Sequence, residues 1–493
     1  MAYRGRLAIV LALAALSLAA IAWQRSAEYD EQYTLFLTGR VARPVWPTGI
    51  VTSGEVQALQ QPQAGLSDIA RELRATDVHP PLYFWAIAGW RRFAGASLFA
   101  ARVASVMCSV ATLGLVAAIA RGAGISAISA LLLTLGCYGF AYTGVAARGF
   151  ALAQLLSVAG ILVLLRSRHP SSLFAAGLLL GAATFANYLA GFVACAALLH
   201  ACLRPAAWEP RRRSIWALLI GCVVWLPADL WFLAVQQRGR PDQFEPFALL
   251  SALARLARYQ AAAVFGGLPL YVDGFARHAL TMALAGLILV VLTSIVGRWR
   301  GIAVAEIRML FGMAAMAPPI GLLLLGLVAD NTPIELRYLA FGAPYIGLLL
   351  AAALPQWLRA TVLTVQAAAL LGLMSRAETM QPARAAAKMA ASVVETGVVL
   401  LPRGNDGVGI VGAFAVEAPP ALPLLVIGSD ATPWQIRARA ARFPSATVAL
   451  LEQDASSRAT VRLLRAAFDD PCWRETGHTE SGMTFERTCA LEE

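Results

Sequence analysis

Residues 7–34 read LAIVLALAALSLAAIAWQRSAEYDEQYT. The stretch opens with an apolar run, Leu7 to Trp23, long enough to span a bilayer and preceded by Arg4 and Arg6. It closes on two carboxylates, Asp30 and Glu31, a few residues past the run. Carboxylates beside hydrocarbon are costly unless they are solvated, paired or used. A cleaved signal peptide would begin the same way. Ala27-Glu28-Tyr29 is a poor small-residue cleavage site, so the run reads as a retained anchor helix.

The rest of the chain supports a membrane reading. Of 493 residues, 59% are hydrophobic and 14% are charged, against about 25% charged in soluble domains. The excess of Lys and Arg over Asp and Glu, 40 to 29, could suggest nucleic acid. The arginines instead fall between apolar runs and form no interleaved aromatic–basic patch, so nucleic acid is excluded as a partner. Lys388 is the only lysine.

Further apolar runs occupy 98–120, 125–143, 149–165, 172–186, 189–203, 215–235, 279–296, 309–328, 338–354 and 361–374. With the first run this predicts about eleven transmembrane helices. With the N-terminus inside, the inner loops hold Arg4 and Arg6, Arg121, Arg166 and Arg168, Arg204 and Arg211 to Arg213, Arg298, Arg300 and Arg308, then Arg359. Their acids are Glu209 and Glu306 alone. This is the positive-inside pattern, and the reverse orientation would misplace every cluster. Residues 81–95, PLYFWAIAGWRRFAG, are then too short to cross and suit the outer interface, with Trp85 and Trp90 at headgroup depth. Outside lie the loop 24–80, a loop of roughly 236–277, and the tail from about 376.

The tail differs in character. ETGVVLLP, GIVGAFAV, LPLLVIGSD and ATVALLEQD read as short buried strands, while PWQIRARAARF and SSRATVRLLRAAFDD read as amphipathic helices. The expectation is a small α/β domain over 376–493 behind a membrane domain over 1–375, whose first outer loop runs through 24–97. Residues 397–412 lack the glycine order of a dinucleotide site. Cys472 and Cys489 flank a predicted hairpin, CWRETGHTESGMTFERTC. In an oxidising compartment they are expected to pair; the alternative is two buried thiols. The other five cysteines lie in or beside apolar runs without metal-ligand spacing.

Three stretches carry candidate chemistry. On a helix Asp30 and Glu31 would point about 100° apart, so the pair alone makes a poor chelate. One of them facing a cavity would serve as a general base; the plainer reading is two solvated acids. In DVHPPLYFW, residues 77–85, Pro80 and Pro81 hold His79 on an extended arm before an aromatic segment. An imidazole fixed there suits a phosphate, although alone it reads as a helix start with an incidental His. Arg148 in AARGFALAQ and Arg337 in IELRYLAFGAP, beside Tyr338, begin spans on the outer side against the inward bias. A guanidinium there suits a lipid phosphate, or else snorkels or pairs with a neighbour such as Glu335 or Asp330.

In this order, an outer Asp-Glu after the first helix, HPPLYFW, and SLFAARVASVMCSV resemble the polytopic GT-C glycosyltransferases. The type is that of protein O-mannosyltransferase and lipid A aminoarabinose transferase, with its bacterial RgtA/B/C/D-like branch. The likeness is clearest over residues 1–200 and weakens through RYLAFGAPYIGLLL. It implies a sugar donor on a polyprenyl phosphate and inverting transfer to a hydroxyl of a lipid, glycan or protein. It also implies a multi-pass protein of the bacterial inner membrane, working on the periplasmic face. Residue by residue, it makes Asp30 the catalytic base and Glu31 its neighbour in the substrate site. It places His79, Tyr83, Arg148, Arg337 and Tyr338 at the substrate. No organic cofactor is implied, and a divalent metal is left open. Family members often carry a Lys near the donor phosphate; here either Arg serves in its place or the site is altered. The competing class is a lipid or lipid-linked sugar flippase, against which stands the lack of an internal repeat.

Overall fold

A computed structural model describes residues 2–167, 169–203, 211–236, 245–302, 305–376, 382–393 and 397–489. Arg168, Arg204 and Glu209 of the expected inner loops lie outside them. The chain forms two compact units. The first comprises Met1–Trp23, Leu73–Tyr83 and Arg102–Ser375; the second comprises Gln24–Glu72, Phe84–Ala101 and Arg376–Glu493.

The first unit is helical. Among the described residues of the whole chain, seven helices are long and apolar enough to cross a membrane, from Tyr3–Gln24 to Gln356–Ser375. An eighth span results if the bent pair Ala127–Gly136 and Tyr138–Val145 is counted as one. Phe150–Arg166, Pro170–Ala186 and Tyr188–Leu203 are shorter apolar helices. The chain is a polytopic helical membrane protein.

Two local devices shape this unit. The bent pair turns by 71° at Cys137, whose backbone is extended. Gln366 fills the break: its Nε2 donates to Val264 O at 3.0 Å and Leu133 O at 3.4 Å. Irregular backbone at membrane depth needs such internal partners. The second device is GLLLG, residues 177–181. A Cβ on Gly177 would lie 2.9 Å from Cys222 N and from Gly221 Cα. The Pro170–Ala186 and Arg211–Val223 helices therefore meet backbone to backbone, as small residues allow in lipid.

The second unit is built on a six-stranded sheet of order β1-β3-β2-β4-β6-β5. The strands are β1 (Val51–Thr52), β2 (Gly397–Pro402), β3 (Pro423–Ile427), β4 (Ser445–Ala449), β5 (Trp473–Thr479) and β6 (Gly482–Arg487). β2 is parallel to β3 and β4, and the remaining pairs are antiparallel. Side chains alternate between two cores. Val399 and Leu401 join Phe36, Val56, Phe414 and Ala415 on one face. Val398 and Leu400 join Ile436, Val461, Leu464 and Phe468 on the other. Cys472 and Cys489 are disulfide-bonded across the base of the β5–β6 hairpin.

GIVGAFAV corrects one expectation. It is a buried helix, Gly409–Glu417, not a strand. A short apolar run cannot separate the two by periodicity, whereas parallel β2 and β3 require a crossover between them. Its glycines also have a helical use. A Cβ on Gly412 would come 2.7 Å from Phe36 Cε2, so Gly409 and Gly412 admit the Tyr29–Leu37 helix at close range.

The segment 81–95 forms the Leu82–Ala94 helix, too short to span. Its Arg91 does not snorkel; it is fully buried. The guanidinium donates to Leu35 O, Gln60 O and Ala96 O at 2.7–3.0 Å and to Thr38 Oγ1. Trp85 and Trp90 donate to Leu66 O and Ala100 O.

Candidate functional site

In the first unit the HPP arm folds into a polar cluster. Asp77 is buried, and its Oδ1 accepts from Val78 N at 2.6 Å and from His79 Nδ1 at 2.7 Å. Arg148 Nη2 lies 3.0 Å from His79 Nε2 and 3.3 Å from Nδ1. Gln236 Nε2 donates to Leu73 O at 2.9 Å and His79 O at 3.0 Å, pinning both ends of the arm. Tyr188 donates to Gln236 Oε1 at 3.0 Å. Arg74 stacks over Trp231, with Cζ 3.6 Å from the ring centre.

Local sequence explains why Arg148 sits there. The turn before the Phe150–Arg166 helix is tied down by two serines one helical turn apart. Ser105 Oγ donates to Ala146 O at 2.7 Å and Ser109 Oγ to Gly144 O at 2.9 Å. Gly149 then has no room for a side chain: a Cβ would meet Ala186 O at 2.6 Å and Tyr83 Cβ at 3.3 Å. Tyr83 thus packs against the turn that presents Arg148. Arg148 is itself buried, at 6% exposure.

Burial alone would raise the Asp77 carboxyl. The His79 charge and hydrogen bond, the Arg148 charge and the Val78 N–H outweigh it and hold Asp77 well below the usual carboxylate range. The charge of Arg148 also reaches Tyr338. Phe150 and Phe341 pack with centroids 6.0 Å apart, joining the start of the Arg148 helix to the Leu336–Gly342 turn. Arg337 pairs with Glu335 at 2.6 Å and lies over the Tyr338 ring. The structure therefore gathers His79, Tyr83, Arg148 and Tyr338 in one region of the first unit, with Arg337 beside Tyr338.

Asp30 and Glu31 belong to the second unit, in the first turn of the Tyr29–Leu37 helix. They differ in environment. Glu31 is buried, and its Oε2 accepts from Glu28 N at 3.2 Å, a reciprocal cap of its own helix. Asp30 is half-buried. Tyr29, just before it, donates to Asp406 Oδ2 at 2.5 Å. Among the described residues, no three His, Cys, Asp or Glu side chains gather as a metal-binding set.

Sequence reading singled out neither Asp77 nor Gln236 nor Tyr188. The available signal was an acid two residues before a proline-fixed His. Gln236 carried none, since a glutamine ending an apolar run reads as a boundary.

The fold is that of the GT-C glycosyltransferases, and residues 78–232, under a third of the chain, match the family model described as dolichyl-phosphate-mannose-protein mannosyltransferase. The likeness to solved structures gives the fold, and the family model matches within residues 78–232 alone. The chain is similar over 98% of both chains to ArnT from Cupriavidus metallidurans bound to undecaprenyl phosphate, with TM-score 0.51 and 13% identity. The apo state of that ArnT gives TM-score 0.50 at 13% identity and the same coverage. Arabinofuranosyltransferase AftD from Mycobacteria gives TM-score 0.42 and 15% identity, over 97% of this chain and 40% of that one. No curated protein sequence matches significantly.

Proposed function

We propose that the protein is an inverting glycosyltransferase that moves a sugar from a polyprenyl-phosphate donor to a hydroxyl acceptor on the periplasmic face of the bacterial inner membrane. The observation that carries the proposal is the Arg148–His79–Asp77 cluster, in which buried Arg148 and half-buried His79 lie in the stretch that the family model matches and offer an anion a guanidinium. The undecaprenyl phosphate bound by the similarly folded ArnT motivates the choice of carrier.

In this reading Asp30 accepts the proton of the acceptor hydroxyl while that oxygen attacks the anomeric carbon. The bond from the anomeric carbon to the phosphate oxygen breaks on the opposite face, giving inversion. Arg148 and Arg337 balance the charge gained by the departing phosphate, with His79, Tyr83 and Tyr338 lining the donor. Glu31 borders the base and caps its helix. The acceptor is an envelope lipid, glycan or protein. About eleven crossings, which require the three shorter apolar helices to cross as well, leave residues 24–97 and 376–493 in the periplasm and the inner-loop arginines in the cytoplasm.

The test uses the purified full chain in lipid nanodiscs with a panel of undecaprenyl-phosphate sugars, a hydroxyl acceptor extract and detection of released undecaprenyl phosphate. Release by the wild type, and its abolition in Asp30→Asn at unchanged expression and melting temperature, is the expected result. Retained turnover in Asp30→Asn removes Asp30 as the base. Movement of intact donor across a bilayer without release would make the protein a flippase instead.

A further inference from the structure

Arg25, Ser26, Ala27 and Glu28 lead into the helix that carries Asp30; they adopt no helix or strand, yet all are buried. Buried backbone outside regular structure needs partners from elsewhere in the chain. Here two residues of the C-terminal tail supply them. Arg384, on the Ala383–Ala390 helix, forks onto Glu417, the last residue of the Gly409–Glu417 helix. Its Nε donates to Glu417 Oε2 at 2.8 Å and its Nη2 to Oε1 at 3.2 Å. The pair then bonds four consecutive residues. Arg384 Nη1 donates to Gln24 O at 2.6 Å and Nη2 to Arg25 O at 3.0 Å. Ser26 Oγ accepts from Arg384 N at 3.3 Å, and Ala27 N donates to Glu417 Oε1 at 2.7 Å. Tyr29 next donates to Asp406 Oδ2, while Asp406 Oδ1 accepts from Val408 N and Gly409 N. The Gly409–Glu417 helix is thus tied at both ends to the stretch that leads into Asp30.

We propose that Arg384 and Glu417 are positioning residues: by gripping residues 24–27 they fix where the Asp30 helix begins, and with it the placement of the Asp30 carboxylate. The role of Asp30 as base rests on the functional reading above; the grip rests on geometry within the second unit alone. A two-bond guanidinium–carboxylate fork is directional as well as charged. A base must meet its proton at hydrogen-bond distance, and a misplacement of about 1 Å costs large factors in rate. The C-terminal domain therefore takes part in catalysis through the backbone that it holds, without touching the substrate.

The measurement is undecaprenyl phosphate release by the full chain in nanodiscs, on the donor of the panel that the wild type turns over. Arg384→Lys keeps the charge but lacks the planar fork. Its kcat per folded molecule should fall about tenfold or more. Donor KM, and undecaprenyl phosphate affinity by native mass spectrometry, should stay within about twofold of wild type. Glu417→Ala should behave alike, and the double variant should be no slower than the worse single one, since the two act as one fork. Cys472→Ser loosens the same unit elsewhere and should keep wild-type kcat per folded molecule. Wild-type kcat in Arg384→Lys and Glu417→Ala would overturn the proposal. So would an equal fall in Cys472→Ser, which would reduce the fork to general support of the unit.

Hydrogen exchange reads the grip without turnover. Peptides covering residues 24–34 should exchange faster in Arg384→Lys and Glu417→Ala, while those covering β2 and β4 keep wild-type protection. Unchanged exchange over 24–34 would show that the fork does not hold the segment, and would refute the proposal. A wild type that releases no undecaprenyl phosphate from any donor would count against the functional reading and remove the catalytic role with it, while exchange would still decide the grip.

Discussion

Adjacent like residues in this chain do different work, and the difference lies in what each side chain touches. Arg91 and Arg92 are neighbours on one helix, yet Arg91 is fully buried among three carbonyls and a hydroxyl while Arg92 is exposed and donates to Ala64 O. The same holds for Asp30 and Glu31. Glu31 is buried and completes the cap of the Tyr29–Leu37 helix, so its loss leaves Glu28 N without that acceptor. Glu31→Ala should cost about 1–2 kcal/mol, in the range of lost caps and buried hydrogen bonds. Melting temperature should fall by a few degrees, with turnover per folded molecule close to wild type. Asp30→Asn should do the reverse. If Glu31→Ala abolishes turnover at unchanged melting temperature, the two roles must be exchanged or shared. The sequence ranked the pair only through family resemblance, because a cap bond between residues 28 and 31 depends on where the helix begins.

At the scale of elements, glycines in this protein mark contacts between helices. Gly177 and Gly181 sit one turn apart on the Pro170–Ala186 helix, and Gly221 faces them from the Arg211–Val223 helix. Lipid offers apolar side chains as good a home as a neighbouring helix does, so close backbone packing is what holds such a pair. Gly177→Val would drive methyl groups into Cys222 N and Gly221 Cα, both backbone atoms that cannot step aside. The helices should separate, with a loss of stability of about 1–3 kcal/mol or more and reduced accumulation of folded protein. Gly286→Val is the control, since nothing lies within 4 Å of a Cβ there. Equal behaviour of the two variants in detergent melting would show that the close approach is not what holds the pair. The same spacing logic applies to Gly409 and Gly412, where it identifies a helix in what reads locally as a strand.

Across the whole molecule, legibility followed the range of the interaction. Membrane helices were readable because twenty apolar residues in a row have few other fates. β2, β3, β4 and the two amphipathic helices were readable from local pattern. The pairing of β1 at Val51–Thr52 with β3 at Pro423–Leu424 was not, since two residues of a polar loop carry no period. Neither was the Asp77–His79–Arg148–Gln236 network, whose members come from three distant stretches. The Cys472–Cys489 bond links residues 17 apart and belongs wholly to the second unit, whereas the five free cysteines lie in the first. A loop of that size contributes about 3 kcal/mol through the unfolded chain. Reductant should therefore weaken only the second unit. Limited proteolysis should cut near the β5–β6 hairpin in reduced wild type and in Cys472→Ser alike, while the helical unit stays intact. Cys472→Ser should show no further response to reductant, because no other disulfide is present among the described residues. A reductant effect persisting in Cys472→Ser, or cleavage beginning in the helical unit, would mean that the two units do not unfold separately and that the bond supports the molecule as a whole.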